Sequence, residues 1–141
     1  MIVYTGGTFD LFHAGHVNLL KACDKLSGEH GEVVVSLNTD AFINRYKGKP
    51  PVMSYKEREA VLKACRYVDV VIPNEDGEDS KPAILAERPQ ILVIGSDWAK
   101  KDYYKQMNFT QEWLDNQNIL LCYVPYTENI STTNIKKRIC E

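Results

Sequence analysis

The sequence has no apolar run long enough to cross a membrane. A membrane-spanning helix needs about 20 apolar residues, and the longest runs here are residues 91–94 and 119–124. The amino terminus lacks a positively charged segment followed by an apolar stretch and a cleavage site, so no secretory signal is visible. We therefore expect a cytoplasmic protein with no membrane contact.

Metal-binding cysteine patterns and blocks of like charge are missing too. Cys23, Cys65, Cys122 and Cys140 form no Cys-x-x-Cys pair, which argues against a zinc knuckle or a thioredoxin-like motif, and we interpret them as reduced. The 17 Lys and Arg and the 19 Asp and Glu give a net charge of -2, with no basic block. We expect no nucleic-acid partner, and phosphate binding can only be local.

The chain has the length and composition of one globular domain. Domains most often contain roughly 100 to 150 residues, and this chain has 141, of which 44% are hydrophobic and 26% charged. These fractions are ordinary for globular proteins, and no internal repeat is visible. We predict a single domain over residues 1–141.

Short apolar segments alternate with amphipathic ones. Strands are predicted at residues 2–4, 32–37, 68–73, 91–95 and 119–124. Helices are predicted from His16 onward and at residues 54–66, 81–87, 110–116 and 131–139. Because parallel strands need crossover connections, the alternation predicts an α/β fold: a Rossmann-like, doubly wound parallel sheet with helices on both faces. Residues 44–53, 74–80 and 97–108 are expected to be loops that border a pocket at the carboxyl ends of the strands.

The segment with the clearest chemistry follows the first strand and reads Gly7-Thr8-Phe9-Asp10-Leu11-Phe12-His13-Ala14-Gly15-His16. Glycines let backbone N–H groups approach an anion, and the following helix presents its amide donors to the same place. His13 and His16 are three apart, so on a helical turn they project from one face and can hold a phosphate together. From the residues alone, an alternative interpretation is that one histidine lies in the core and the other on the surface.

This motif resembles that of the nucleotidyltransferase superfamily that contains the cytidylyltransferases. Four further segments are similar to the glycerol-3-phosphate cytidylyltransferase family, and they occur in the same order: Ser54-Tyr55, Arg66-Tyr67-Val68-Asp69, Gly95-Ser96-Asp97-Trp98 and Ile130-Ser131-Thr132-Thr133. The resemblance covers almost the whole chain. It implies transfer of CMP from CTP to a small phosphorylated acceptor such as glycerol 3-phosphate, with Mg²⁺ as cofactor, pyrophosphate as second product and a homodimer as the assembly.

The resemblance also implies roles for individual residues. His13 and His16 would contact the α-phosphate, and Lys47 and Lys49 would bring positive charge, although solvated loop lysines are an equal alternative. The remaining nucleotide-binding positions would be Gly7, Thr8, Phe9, Arg66, Asp69, Asp97, Thr127, Ser131 and Thr132. Arg66 could instead end its helix favourably. Trp98 could simply bury apolar area, and the hydroxyls of residues 131–133 could cap the last helix.

Two features depart from the family pattern. Tyr126 stands where members usually carry an arginine, and a neutral side chain cannot give an equal charge-assisted hydrogen bond to phosphate. We expect Lys100, Lys101 or Lys136 to compensate. The stretch 99–118 is long and carries Tyr103, Tyr104, Phe109 and Trp113; an acceptor pocket, a subunit contact and a small core of its own remain equal alternatives. Adenylyl transfer from ATP and a non-catalytic nucleotide-binding module are the alternative functions.

Overall fold

The computed structural model describes residues 1–75, 79–96 and 102–140. Its strands are β1 (Ile2–Gly7), β2 (Glu32–Asn38), β3 (Val70–Asn74), β4 (Ile91–Gly95) and β5 (Leu120–Val124). They form one parallel sheet in the order β3-β2-β1-β4-β5. The strand order reverses at β1, which pairs with β2 on one side and with β4 on the other.

Helices connect the strands and cover the sheet. They are α1 (Ala14–Ser27), α2 (Asp40–Lys47), α3 (Tyr55–Ala64), α4 (Lys81–Glu87), α5 (Tyr103–Met107), α6 (Gln111–Asn116) and α7 (Thr132–Cys140). Among the described helices, none has the length and apolar character that a bilayer crossing requires.

Alternation of side chains along the strands separates two hydrophobic cores. On one face, Val33 and Val35 of β2 pack with Leu20 of α1 and Leu62 of α3. On the other face, buried side chains of the strands pack with residues of α4, α5 and α6; they include Tyr4, Val34, Ile84, Tyr103, Phe109 and Leu114. Helices therefore lie on both faces, and the predicted doubly wound α/β fold is confirmed.

Two short helices, α2 and α5, overlap segments that were expected to be loops. The hydroxyl of Thr39 accepts the N–H of Phe42 and begins α2, Gly48 ends it in the left-handed conformation, and Phe42 is buried. Asp102 caps α5 in the same way, through the N–H of Lys105. Both helices have fewer than nine residues, so neither contains enough turns to show a clear apolar period.

Candidate functional site

Three cavities meet at the loop that follows β1. The switch-point cavity, about 280 Å³, lies between the carboxyl ends of β1 and β4 and the start of α7. The strand-end cavity, about 210 Å³, lies beyond β1, β2 and β3. The lysine cavity, about 450 Å³, lies between this loop, the segment after α2 and the start of α7. Thr8 lines all three. Open α/β sheets bind ligands where the strand order reverses, which here is the position of β1.

The loop itself adopts an unusual backbone conformation. Phe9 and Leu11 have positive φ angles of 52° and 49°, which non-glycine residues adopt rarely. The buried ring of Phe9 packs against Gly7 so closely that a Cβ there would lie 3.0 Å from Phe9 Cε2. Gly7 is therefore required by close packing, in addition to any approach of an anion to its backbone.

The two histidines of the motif form a stacked pair at the start of α1. Their ring centroids are 3.8 Å apart. His13 is the N-cap: its Nδ1 accepts the N–H of Gly15 at 3.0 Å, and Nδ1 of His16 accepts the N–H of His13 at 3.2 Å. A neutral imidazole that accepts at Nδ1 carries its proton at Nε2. Each ring can therefore donate from Nε2, and both rings line the switch-point cavity together with Ser131.

Both histidines are uncharged at neutral pH. Burial, together with a smaller effect of neighbouring His13, lowers the pKa of His16 to about 3, while Asp10 opposes the shift. Burial also lowers the pKa of His13. The rings of Phe9 and Phe12 lie 5.1 and 5.4 Å from the ring of His16. These aromatic neighbours make a charged imidazolium costly, so the pair has hydrogen-bond donors, but no positive charge, to offer to an anion.

Gly15 leaves space for the imidazole ring of His13. A Cβ at Gly15 would lie 2.8 Å from Cε1 of His13 and 3.6 Å from Cγ2 of Ile130. The glycine of His-x-Gly-His is therefore required by a contact within the motif itself.

Arg58, which no sequence motif identified, anchors the loop that follows β1. Its guanidinium is fully buried and donates to the carbonyls of Met53, Thr8 and Asn38, and it forms an ion pair with Asp40 at 2.6 Å. Because the carbonyl of Thr8 is held, the following amides have a fixed direction. The only sequence signal was the position of Arg58, one helical turn before the buried Leu62.

Asp10 is a second residue that connects separate segments of the site, and sequence patterns assigned no role to it. Its carboxylate accepts the N–H groups of Val52 and Met53 at 2.7 and 2.9 Å, and its carbonyl accepts the hydroxyl of Thr132 at 2.7 Å. One buried residue thus joins the loop after β1 to the segment before α3 and to the start of α7. These contacts set the walls of the lysine cavity.

Positive charge gathers at the lysine cavity. Lys47 and Lys49 line it together with Lys136 and His16. α2 ends at Lys47, and Gly48 turns the chain so that Lys49 follows on the same cavity wall. Of the three cations expected to compensate for the missing arginine, Lys136 borders this cavity, whereas Lys100 and Lys101 lie outside the described residues, as do Asp97 and Trp98.

The start of α7 contributes hydroxyls and amides. Ser131 Oγ accepts the N–H of Asn134, so Ser131 caps the helix, while Thr132 bonds to Asp10. Thr127 Oγ1 accepts from Asn18 Nδ2 at 3.0 Å. Thr127, Ser131 and Thr132 all line the switch-point cavity, as does Tyr126, the residue at the position where the resemblance implies an arginine.

Arg66 and Asp69 lie elsewhere. Asp69 precedes β3 and accepts the N–H of Val33 at 2.8 Å, and Arg66 bonds to the hydroxyl of its neighbour Tyr67. Val33 pairs with Val3, four residues before Gly7 and about 13 Å away at the usual rise per strand residue. These two residues therefore stand at the amino ends of the strands, away from the switch-point cavity of the same chain, and their contact with a nucleotide stays a prediction.

The aromatic residues of the long stretch before β5 form part of the second core. Tyr103 and Phe109 are buried, and the rings of Phe109 and Trp113 stack 5.8 Å apart. These side chains pack into the core that covers the sheet and do not form a small core of their own, and Tyr103 also lines the strand-end cavity.

The described residues do not form a metal centre of their own. Within residues 1–75, 79–96 and 102–140, no three His, Cys, Asp or Glu side chains cluster as ligands. Asp10, which lines the lysine cavity, already accepts two backbone N–H groups with its carboxylate. The donor set therefore does not fit a Mg²⁺ site built from protein side chains alone.

Comparisons with known proteins agree with this architecture. Residues 4–138 match the family model described as cytidylyltransferase-like. The chain is 39% identical over 137 residues to glycerol-3-phosphate cytidylyltransferase of Bacillus subtilis, covering 97% of this chain and 95% of that protein. It is 33% identical over 139 residues to FAD synthase of Pyrococcus horikoshii, covering 99% and 92%.

A solved structure has the same fold. The crystal structure of the lipopolysaccharide core biosynthesis protein from Thermoplasma volcanium is 25% identical, with a TM-score of 0.67, and covers 92% of this chain and 98% of that one. Since the family model spans nearly all of the sequence and relatives above 30% identity align end to end with it, the chain belongs to the cytidylyltransferase-like family of nucleotidyltransferase enzymes.

Proposed function

We propose that this enzyme transfers CMP from CTP to a small phosphorylated alcohol, with glycerol 3-phosphate as the leading candidate, and releases pyrophosphate. The observation that carries the proposal is the stacked pair His13 and His16, whose Nε2 groups are both donors, between a cavity for a nucleoside and a cavity lined by lysines. The relative named glycerol-3-phosphate cytidylyltransferase supports this choice of substrates.

The reaction needs positioning and charge neutralisation more than proton transfer. An oxygen of the acceptor phosphate attacks the α-phosphorus of CTP, a new P–O bond forms, and the bond from that phosphorus to the bridging oxygen of pyrophosphate breaks. A phosphate monoester has its second pKa near about 6, so the attacking oxygen is already deprotonated at neutral pH. His13 and His16 donate from Nε2 to the oxygens of the α-phosphate, where charge develops.

The lysines act on the leaving group. Lys47, Lys49 and Lys136 border the cavity on the far side of His16 from the switch-point cavity. Their charge stabilises the departing pyrophosphate, and the amides at the start of α7 add to it. Mg²⁺ enters this proposal as part of the substrate, bound to the phosphates of CTP, since the described side chains offer no cage for it.

Adenylyl transfer is the second candidate, and a specific observation favours it: a relative named FAD synthase is 33% identical over nearly the whole chain. FAD contains AMP joined to flavin mononucleotide, so that pair of substrates is ATP and flavin mononucleotide. A nucleotide-binding module without catalysis is the third candidate, because the neutral Tyr126 lines the switch-point cavity at the position where the family resemblance implies an arginine.

Pyrophosphate release tests these candidates directly. The protein is incubated with Mg²⁺ and either CTP or ATP, with glycerol 3-phosphate or flavin mononucleotide as acceptor, and the products are identified by mass spectrometry. We expect a CDP-linked product from CTP and glycerol 3-phosphate. Tight CTP binding without turnover on any acceptor would leave the non-catalytic module as the function.

A matched pair of variants tests the role of the imidazoles. In His16→Asn the amide oxygen can replace Nδ1 as acceptor for the N–H of His13, but no donor reaches the place of Nε2. Loss of one such donor costs about 10² to 10³ in turnover. His30→Asn makes the same change at an exposed position and should leave turnover unaltered. Equal turnover of both variants would contradict the proposed contact with the α-phosphate.

Two further expectations stay proposals. A homodimer is implied by the family resemblance and is tested by light scattering during size-exclusion chromatography. The cytoplasmic location predicted from the sequence is tested by cell fractionation.

A further inference from the structure

The strand-end cavity contains polar groups that take no part in the proposed transfer of CMP. It opens on the opposite side of Gly6 and Gly7 from α1, beyond the carboxyl ends of β2 and β3. Thr8 lines it and also lines the switch-point cavity. A molecule seated here would therefore end beside the phosphates of a nucleotide bound in the switch-point cavity.

Ser36 provides a polar group without a partner. This residue of β2 is 2% exposed and lines the cavity, and its Oγ has no hydrogen-bond partner among the described residues. Buried hydroxyls are almost always paired, because an unpaired one loses its bonds to water without replacement. In the sheet Ser36 pairs with Gly6, and a Cβ at Gly6 would lie 3.8 Å from Cβ of Ser36. Because Gly6 has no side chain, the space beside Ser36 is open.

Two amides continue this polar surface at the ends of β2 and β3. Asn74 Nδ2 donates to Asn38 Oδ1 at 2.9 Å, and Asn38 Nδ2 donates to Thr8 Oγ1 at 3.1 Å. The chain of bonds fixes the orientation of both amides, since each oxygen and nitrogen is identified by its partner. Asn74 Oδ1 is the acceptor that these bonds do not use.

The other walls are apolar or neutral. Phe42 of α2 and Met107 of α5 face the cavity, and the described residues that line it carry no formal charge. Tyr46, Ser80 and Gln106 add further neutral polar side chains. Hydrogen-bonding groups in an uncharged cavity select a hydroxyl-bearing ligand over a charged one, because a charge here would be desolvated without a counter-ion.

We propose that the strand-end cavity binds the carbon part of the acceptor and that this part is an uncharged, hydroxyl-bearing chain. Its hydroxyls bond to Ser36 Oγ and Asn74 Oδ1, and its phosphate lies at Thr8, facing the α-phosphate of the nucleotide. This assignment rests on the proposed function. Ser36 is then a residue that determines acceptor specificity and has no part in nucleotide binding.

The test compares two acceptors that differ only in hydroxyl groups: glycerol 3-phosphate and propyl phosphate. For wild type, we expect glycerol 3-phosphate to have the lower KM. Ser36→Ala should raise the KM for glycerol 3-phosphate about tenfold, which corresponds to one hydrogen bond. It should leave the KM for propyl phosphate and the KM for CTP unchanged, because neither ligand bonds to Oγ.

Thermal unfolding separates this role from a structural one. Ser36→Ala removes a hydroxyl that has no partner among the residues that the structure describes, so we expect its Tm to be equal to or higher than that of wild type. Ser27→Ala is the matched control: Ser27 is also buried, but its Oγ donates to the carbonyl of Asp24 at 2.8 Å, at the end of α1. This control should lower Tm and leave every KM unchanged.

Each outcome has one meaning. If Ser36→Ala changes the KM of both acceptors equally, or of neither, while turnover continues, the assignment of the strand-end cavity is wrong and the proposed function stands. A lower KM for phosphocholine than for glycerol 3-phosphate would also overturn the assignment of the strand-end cavity, since the choline group is cationic. If CTP yields no product with any of these phosphates, the proposed function fails, and the acceptor assignment fails with it.

Discussion

At the scale of single residues, the unusual property of this site is that its two histidines are neutral. Each Nδ1 accepts a backbone N–H, and the aromatic rings around His16 hold its pKa at about 3. Two imidazolium ions at 3.8 Å would repel each other. Positive charge is supplied instead by lysines at the next cavity, so donors and cations are separate groups.

This neutrality predicts a pH dependence of stability. The pKa of His16 is about 3 in the folded protein against the ordinary histidine value of 6.5, so between these values the unfolded chain binds more protons. Stability therefore rises with pH through this window and is lost as the pH falls below 6.5. At pH 5 the loss from His16 is at most about 2 kcal/mol, since each pH unit is worth about 1.4 kcal/mol.

Urea unfolding at pH 5 and pH 7.5 measures this effect. We expect His16→Asn to lose less stability than wild type between the two pH values, whereas His30→Asn, at an exposed position, should behave like wild type. An identical loss in wild type and His16→Asn would show that His16 does not resist protonation.

The sequence predicted the residues of the histidine motif but not the residues that hold it in place. His13 and His16 were found because the motif is local. Arg58 and Asp10 act through bonds to segments 50 and 42 residues away, and no pattern within one segment can reveal such a partner. Arg66 and Asp69 show another limit: similarity to a family motif says that residues recur, but not that they stand at the amino end of β3, away from the switch-point cavity.

At the scale of elements, α7 joins the two sides of the site. Its first turn contacts Asp10, and its next turn carries Lys136 to the lysine cavity. Apolar periodicity predicted this helix, yet α2 and α5 escaped detection because their ends depend on caps and on burial of one or two side chains. Short helices are stabilised by packing, which the local sequence does not encode.

Lys136 offers a test of the missing arginine. We expect Lys136→Ala to lower turnover about 10- to 10²-fold, which is less than the loss of a dedicated donor, because Lys47 and Lys49 border the same cavity. Lys137→Ala removes the exposed neighbour and should have no such effect. Steady-state rates at saturating CTP give the comparison, and equal rates for both variants would exclude Lys136 as the compensating cation.

At the scale of the whole molecule, nucleotide binding should stabilise the fold, since a ligand that binds only the native state shifts the unfolding equilibrium. With CTP at about 100 times its Kd, the free energy of unfolding should rise by about 2.7 kcal/mol. We expect ATP at the same concentration to raise Tm less. Differential scanning calorimetry with each nucleotide and Mg²⁺ makes the measurement, and a larger shift with ATP would favour the adenylyl transferase.

The position of β1 at the middle of the sheet has a consequence for how such an enzyme can diversify. Strands β2 and β3, on one flank of β1, border only the strand-end cavity of these two, and β5, at the other edge, borders only the switch-point cavity. The end of β1, Thr8 and Ile94 of β4 line both. On the proposed assignment of the two cavities, substitutions in the outer strands can therefore change acceptor preference and nucleotide preference independently.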